Sequence, residues 1–374
     1  MFCSGWIAVA LLLTNLGSYP NPLALEGPGT MGIGERAPDF DLPGVDGRNH
    51  RLSDFAAAQI LVVVFTCNHC PTAQAYEGRI QALKDEYEGK GVALVAISPN
   101  DPNAVRLDEL GYTDMSDSLE EMKVRAGDRK FTFPYLYDGN NQAVSRAYGP
   151  TATPHVFVFD KDRKLRYAGR VDDSEKPDKV RSRDARNAIE ALLAGHPVTV
   201  QKTKTFGCSI KWSDKRASVK SGFEHWANEP VSLDAIDETG VRALVRNDSK
   251  KLRLVNVWAT WCGPCVIEFP ELITINRMYR ERDFELVTIS ADAPEKKEDA
   301  LAFLRKQQAS SRNYLFSVED KYKLIDAIDK EWPGALPYTL VIEPGGKVIF
   351  RVQGELVPLE LKKAIVGKLG RYYP

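Results

Sequence analysis

At 374 residues the chain is longer than one ordinary core requires and suits two domains. Apolar residues make up 43% and charged residues 27%, a balance that supports packed cores and argues against disorder. With 50 basic against 51 acidic side chains the formal net charge is -1, which removes the electrostatic basis for a nucleic-acid or anionic-membrane partner.

Residues 1–25 carry no charge, and Trp6 to Leu13 is an unbroken apolar run, long enough for a signal-peptide core and too short to span a bilayer. Export to the periplasm or another extracytoplasmic compartment is therefore expected. Met1 to Gly5 lacks a Lys or Arg, and Leu23-Ala24-Leu25 matches a cleavage site poorly, so an apolar leader on a cytoplasmic protein is the alternative. Cys3 precedes the apolar run and is not placed as a lipid anchor. Beyond the leader stand Cys67, Cys70, Cys208, Cys262 and Cys265: two close pairs and one odd thiol. Too few for a disulfide-stapled scaffold, the pairs read as chemical rather than structural.

The two halves repeat one order of elements. In the first, the apolar run Ile60 to Phe65 reads as a buried strand. Cys67-Asn68-His69-Cys70 follows, and Ala73, Tyr76, Ile80, Leu83 and Tyr87 mark the apolar face of a helix. A second strand is expected over Val92 to Ser98. Much later Thr153-Pro154 leads into a hairpin of His155 to Asp160 with Leu165 to Gly169. In the second half, Leu252 to Trp258 leads into Cys262-Gly263-Pro264-Cys265, a helix to about Tyr279 and the strand Glu285 to Ser290. Leu336-Pro337 then introduces Tyr338 to Ile342, a Pro344-Gly345-Gly346 turn, Lys347 to Val352 and a terminal helix from about Leu359. This order predicts an α/β fold, a mixed sheet with helices on both faces in each half. The expected boundaries are 31–196 for the first domain, 197–222 for a linker containing Cys208, and 223–374 for the second domain. Phe206 and Ile210-Lys211-Trp212 are apolar islands that suggest partial docking of that linker.

A cysteine between the end of a strand and the start of a helix meets unpaired backbone N–H groups and the positive end of the helix dipole, which stabilise a thiolate. Cys262 is thus expected to attack and Cys265 to resolve the mixed disulfide. A half zinc site, a structural disulfide and haem attachment fit less well. Zinc wants a second ligand pair nearby, and haem attachment wants His after the second Cys, where Pro71 and Val266 stand. Glu268, three residues beyond Cys265, shares its helix face, and Pro270 is expected to kink the helix.

Trp258-Ala259-Thr260-Trp261-Cys262-Gly263-Pro264-Cys265 resembles the active-site segment of thioredoxins. With Glu268 and Phe269-Pro270, it is similar to the extracytoplasmic thioredoxin-like reductases of cytochrome c maturation. The resemblance covers about Phe223 to Pro374. It implies a thioredoxin fold, a proton-handling role for Glu268, and a cis proline at Leu336-Pro337 whose backbone edge meets substrate. Partners it implies are protein thiols and disulfides, apocytochrome c and a membrane thiol-electron donor, with no organic cofactor.

Gly34-Glu35-Arg36-Ala37-Pro38-Asp39-Phe40, with Gly47 and Leu52-Ser53-Asp54, resembles the start of the peroxiredoxin and alkyl-hydroperoxide-reductase superfamily. Two thioredoxin-fold domains in tandem are implied. In that superfamily a Thr stands three residues before Cys-Pro-Thr. Here Cys70-Pro71-Thr72 fits, but Cys67 occupies the Thr position. Dithiol exchange is therefore expected, with Cys67 attacking, Cys70 resolving and protonated His69 stabilising the Cys67 thiolate. Thr153-Pro154 is the matching cis-proline candidate. The alternatives are a thiol peroxidase with Cys70 as peroxidatic thiol, and a Cu(I) site at Cys67, His69 and Cys70, against which the spacing argues; no metal is expected. Cys208 is expected to be a third redox thiol, reachable by Cys67 or Cys70. Electrons are expected to pass from the second pair to the first, over a flexible linker reaching roughly 25 to 30 Å.

Overall fold

A computed structural model describes residues 28–373. The expected leader, residues 1–25, lies outside the described residues. No described helix is long and apolar enough to cross a membrane.

The first domain opens with a hairpin, β1 (Asp41–Pro43) and β2 (Asn49–Arg51). β3 (Ile60–Phe65), α1 (Pro71–Tyr87) and β4 (Val92–Ser98) follow. An excursion then carries α2 (Leu119–Arg129), β5 (Tyr135–Tyr137) and α3 (Ala143–Tyr148). β6 (His155–Phe159), β7 (Leu165–Gly169) and α4 (Asp184–Leu193) complete it. The sheet order is β5-β4-β3-β6-β7, with β3, β4 and β5 parallel and the β6–β7 hairpin antiparallel. Every residue of β3 is buried because both faces are covered, which is why the strand reads as a continuous apolar run. Ala73, Tyr76, Ile80, Leu83 and Tyr87 all face the core.

After α5 (Arg216–Ala227), the second domain runs through β8 (Asp234–Ile236), α6 (Glu238–Arg246), β9 (Leu252–Trp258), α7 (Gly263–Tyr279) and β10 (Phe284–Ser290). It continues with α8 (Lys297–Lys306), β11 (Arg312–Phe316), α9 (Lys321–Ile328), β12 (Tyr338–Ile342), β13 (Val348–Gln353) and α10 (Pro358–Leu369). The order β13-β12-β9-β10-β11-β8 repeats the wiring of the first sheet, with β8 added at the far edge. α7 continues through Pro270 to Tyr279.

Residues 197–222 dock on the first domain over more of their length than the partial docking expected at Phe206 and Ile210-Lys211-Trp212. Backbone bonds join Ala168 N–H to Gln201 O and Thr203 N–H to Ala168 O, extending the first sheet by a short bridge. Phe206 packs on Tyr76, Ile210 and Trp212 are buried, and the Lys211 backbone is fixed on both sides by Asn100 and Asp101. α5 begins at Arg216 and runs across the expected 222/223 boundary. Apolar side chains only a few residues apart bind this segment to the first domain along most of its length, so its charged composition does not make it a coil.

The domains share an interface. Val105 and Leu110 of the first domain enter the core cluster of the second. Tyr279 at the end of α7 donates its hydroxyl to Thr113 O at 2.7 Å, and Arg282 donates to Gly111 O at 2.9 Å. Arg371, beyond α10, grips Asp114 through both carboxylate oxygens at 2.6 and 2.7 Å. The second domain therefore depends on two residues of the first for its packing. Leu110→Ala is expected to destabilise the second domain by about 2–4 kcal/mol, read by calorimetry as a lowered transition for that domain. An unchanged transition would show that Leu110 contributes nothing there.

Candidate functional site

In the second domain β9 delivers the chain to a loop held by Asp292, whose carboxylate accepts from the Thr260 backbone N–H and, at 2.6 Å, from its hydroxyl. Cys262 is the N-cap of α7, and its sulfur accepts the Cys265 N–H at 3.3 Å. Cys262 and Cys265 are joined as a disulfide. The preceding Trp261 is 71% exposed, so the pair sits beside an open apolar rim. Glu268 is half-buried and accepts from Asn256 Nδ2 at 3.2 Å and from Leu356 N–H at 3.3 Å. Burial outweighs these bonds and pushes its carboxyl up to about 7. The Leu336-Pro337 bond is cis, as is Thr153-Pro154.

In the first domain the helix begins later relative to its cysteines. Pro71 is the first residue of α1 and Cys70 is the N-cap, accepting from Ala73 N–H at 3.4 Å. Sheet register gives the same correspondence. Phe65 pairs with His155, just after Pro154, and Val257 pairs with Tyr338, just after Pro337. Cys70 stands five residues beyond Phe65, and Cys262 five beyond Val257. Cys70 is thus the counterpart of Cys262, and Cys67 that of Ala259. The helix N-terminus therefore meets Cys70, and not Cys67, the sulfur expected to attack.

The surroundings agree. Burial opposes ionisation of Cys70, but the thiols of Cys208 and Cys67, the charge of His69 and the Ala73 N–H outweigh it and hold Cys70 well below the usual thiol range. Burial, the bond to Cys70 and the charge of Asp117 push Cys67 well above it. Cys67 Sγ lies 3.1 Å from the Thr153 hydroxyl.

His69 lies inside the protein rather than at a surface between two thiols. Its Nδ1 donates to Asp117 at 2.5 Å, and Asp117 also accepts from the backbone N–H groups of Asn68 and His69 and from Asn100 Nδ2. Burial lowers the imidazole's affinity for its proton, but the Asp117 charge and hydrogen bond overcome this and raise it. The resulting cation is among the groups that favour the Cys70 thiolate. His69 Nε2 has no hydrogen-bond partner among the described residues. Cys67, His69 and Asp117 bring one donor atom each within 4.8 Å of one another, a set different from the Cys67, His69 and Cys70 considered for Cu(I). The Asp117 carboxylate is already engaged by four donors, which leaves it poorly disposed toward a metal ion.

Cys208 packs on Cys70, and its backbone N–H donates to Cys70 Sγ at 3.3 Å. The three free thiols of the described residues therefore form one cluster. Sequence reasoning missed Asp117, Asn100 and Gly207. The one signal available for Asp117 was the capping box Ser118-x-x-Glu121 that starts α2 directly after it.

The two sulfur sites are far apart. α7 packs its Tyr279 end on the first domain while Cys262 caps the opposite end, and 17 residues of helix span about 25 Å. Together with the docked 197–222 segment, this removes the flexible-coil basis for direct transfer between the pairs.

Residues 33–168 match the AhpC/TSA family and residues 241–365 match the Redoxin family. The thiol-disulfide oxidoreductase ResA of Geobacillus thermodenitrificans is 26% identical over 138 residues, 36% of this chain and 68% of that protein. ResA of Oceanobacillus iheyensis is 31% identical over 106 residues, 28% of this chain and half of that protein. Among solved structures, an uncharacterized conserved protein from Geobacillus kaustophilus is 38% identical, covering 49% of this chain and 93% of its own, with a TM-score of 0.44.

Glu268 gives a pH-dependent expectation. Its proton is held more tightly in the folded than in the unfolded chain, so its contribution to stability is complete below about pH 4.3, the unfolded carboxyl's range, and is lost as pH rises toward about 7. Glu268→Gln is therefore expected to gain stability over the parent protein across that window. Denaturant midpoints at its two ends check this, and a difference that does not grow with pH would refute it.

Proposed function

Because the chain carries an AhpC/TSA-family domain and a Redoxin-family domain in tandem, both on the thioredoxin fold, we propose that it is a thiol-disulfide oxidoreductase with two separate dithiol sites. The observation that carries this reading is the cysteine sulfur that caps the first turn of a helix at the same register in both domains.

In the second domain the reduced Cys262 sulfur attacks a substrate disulfide. The substrate S–S bond breaks, a mixed disulfide forms, and one substrate thiol leaves. Cys265 then attacks Cys262, releases the second substrate thiol, and closes the disulfide; two electrons have passed to substrate. Glu268, poised near neutrality, takes the proton that Cys265 must lose. The exposed Trp261 and the edge at Leu336 and Pro337 receive a polypeptide. Protein disulfides are the proposed substrate class, with apocytochrome c among them and a membrane thiol donor restoring the dithiol. Export is proposed on the uncharged apolar run at the N-terminus. Sulfur alone carries this chemistry, with no organic cofactor.

In the first domain Cys70 attacks and Cys67 resolves, with Thr153 and Pro154 at the edge of the site. A second reading is favoured by the complete burial of Cys70, which suits a small oxidant. Cys70 would attack a hydroperoxide, form a sulfenic acid with release of an alcohol or water, and condense with a neighbouring thiol to a disulfide, releasing water.

Cys262→Ser should abolish disulfide reduction by the second site, while Cys265→Ser accumulates mixed disulfides with substrate. At the first site, with Cys208→Ser also present so that only the pair reports, Cys67→Ser, not Cys70→Ser, should retain a reactive thiol. Mass spectrometry of trapped adducts checks both pairs. Equal trapping by both members of a pair would overturn the order of attack, and peroxide consumption abolished by Cys70→Ser would favour the second reading of the first site.

A further inference from the structure

The residue before Pro154 offers a backbone edge beside Cys70, and the chain fills that edge itself. Thr153 N–H donates to Cys208 O at 3.0 Å in an antiparallel bridge, and Cys208 N–H points at Cys70 Sγ. Gly207 makes the approach feasible. Its φ is +136°, and a Cβ there would lie 2.0 Å from Thr153 O. In the second domain no described residue bridges to Leu336, so the corresponding edge is open.

Exposure orders the three sulfurs. Cys67 and Cys70 are buried, and Cys208 is half-buried between them and the surface. Over Cys208 lies the segment that follows α10. The Tyr373 hydroxyl is 4.0 Å from Cys208 Sγ, its ring packs on Tyr112 at 4.9 Å, and Arg371 is held by Asp114 and reaches Gln74. Gln74, one turn beyond Cys70, donates to the carbonyls of His69 and Tyr112.

Resting on the dithiol reading of Cys67 and Cys70, we propose that the chain seats Cys208 where an incoming sulfur would sit, so that the first site exchanges with other molecules through Cys208, and that the Arg371–Tyr373 tail caps this port. Cys208 attacks the Cys70 sulfur of the oxidised pair. The Cys67–Cys70 bond breaks, a Cys70–Cys208 bond forms, and Cys67 takes the proton that Cys208 gave up. An incoming dithiol then attacks Cys208, and Cys70 leaves as the thiolate that its helix N-terminus stabilises. The second thiol of the incoming molecule closes its own disulfide and frees Cys208. Of the two protons that molecule gives up, Cys208 takes one and solvent the other, and two electrons have entered the Cys67–Cys70 pair. Arg371 is a positioning residue in this scheme. It acts through Tyr373.

The test uses the full chain carrying Cys262→Ser and Cys265→Ser, so that only the first site reports. Adding Cys67→Ser should let mild oxidation join Cys70 to Cys208, seen by peptide mapping. Cys208→Ser should slow reduction of the Cys67–Cys70 disulfide by dithiothreitol by about tenfold or more. Arg371→Ala and, independently, Tyr373→Ala should each speed iodoacetamide labelling of Cys208 by about tenfold, as expected when a local cover is removed. Reduction of the Cys208→Ser protein at the parent rate, or absence of the Cys70–Cys208 disulfide, overturns the port. Labelling of Cys208 unchanged in both tail variants overturns the cap. If the Cys67–Cys70 pair cannot be oxidised at all, the dithiol reading itself fails, whereas the Cys70–Cys208 disulfide and the labelling rates still decide the inference.

Discussion

The sulfur that caps a helix is the constraint on which both sites depend. A helix start leaves backbone N–H groups without partners, and a thiolate placed there accepts them while meeting the favourable end of the dipole. In the second domain the cap is Cys262 and in the first it is Cys70, each receiving the N–H three residues on. The same number of residues separates each cap from the central strand position that pairs just beyond the cis proline. What differs is where the second cysteine falls. Cys265 lies inside the helix, whereas Cys67 lies before it, under the Thr153 hydroxyl.

That difference explains what the sequence did and did not disclose. The strand Ile60–Phe65 is buried on both sides and reads as an unbroken apolar run, Leu252–Trp258 is as buried but carries Arg253 and Asn256, and the repeat of strand, Cys-x-x-Cys, helix and strand follows from the order of elements in the two halves. The order of attack in the first pair did not follow. Both pairs share one spacing, and only the helix boundary tells which sulfur caps. Pro71 after Cys70 is a usable signal, since proline favours the first helical position and so marks Cys70 as the cap.

Asp117 was illegible for a different reason. It is 48 residues from His69 and arrives through the excursion between β4 and β6, whose short elements carry little periodicity. A buried carboxylate that accepts two backbone N–H groups, a ring N–H and an amide fixes the loop carrying Asn68, His69 and Cys70 before any substrate arrives. How far the linker docks is not legible in its composition, which reports solubility. Lys, Thr and Ser dominate residues 197–222, yet Phe206, Ile210 and Trp212 are enough to anchor them, and Gly207 lets the backbone press against Thr153.

The two sites, built on one plan, have different surroundings. Beside Cys262 stand an exposed indole and a backbone edge at Leu336 that no described residue bridges, the features an extended polypeptide needs to bring its own disulfide into line. Around Cys70 that edge is taken by the chain, and the second domain contributes Tyr373 over the one sulfur that reaches outward. The domains are thus not interchangeable modules on a string. Leu110 of the first completes a core of the second, and Arg371 of the second seats its tail beside the sulfur cluster of the first. A first domain cut free at residue 222 would lose both α5's last turns and the cover over Cys208, so its thiol reactivity would describe an opened site and not the one the full chain presents.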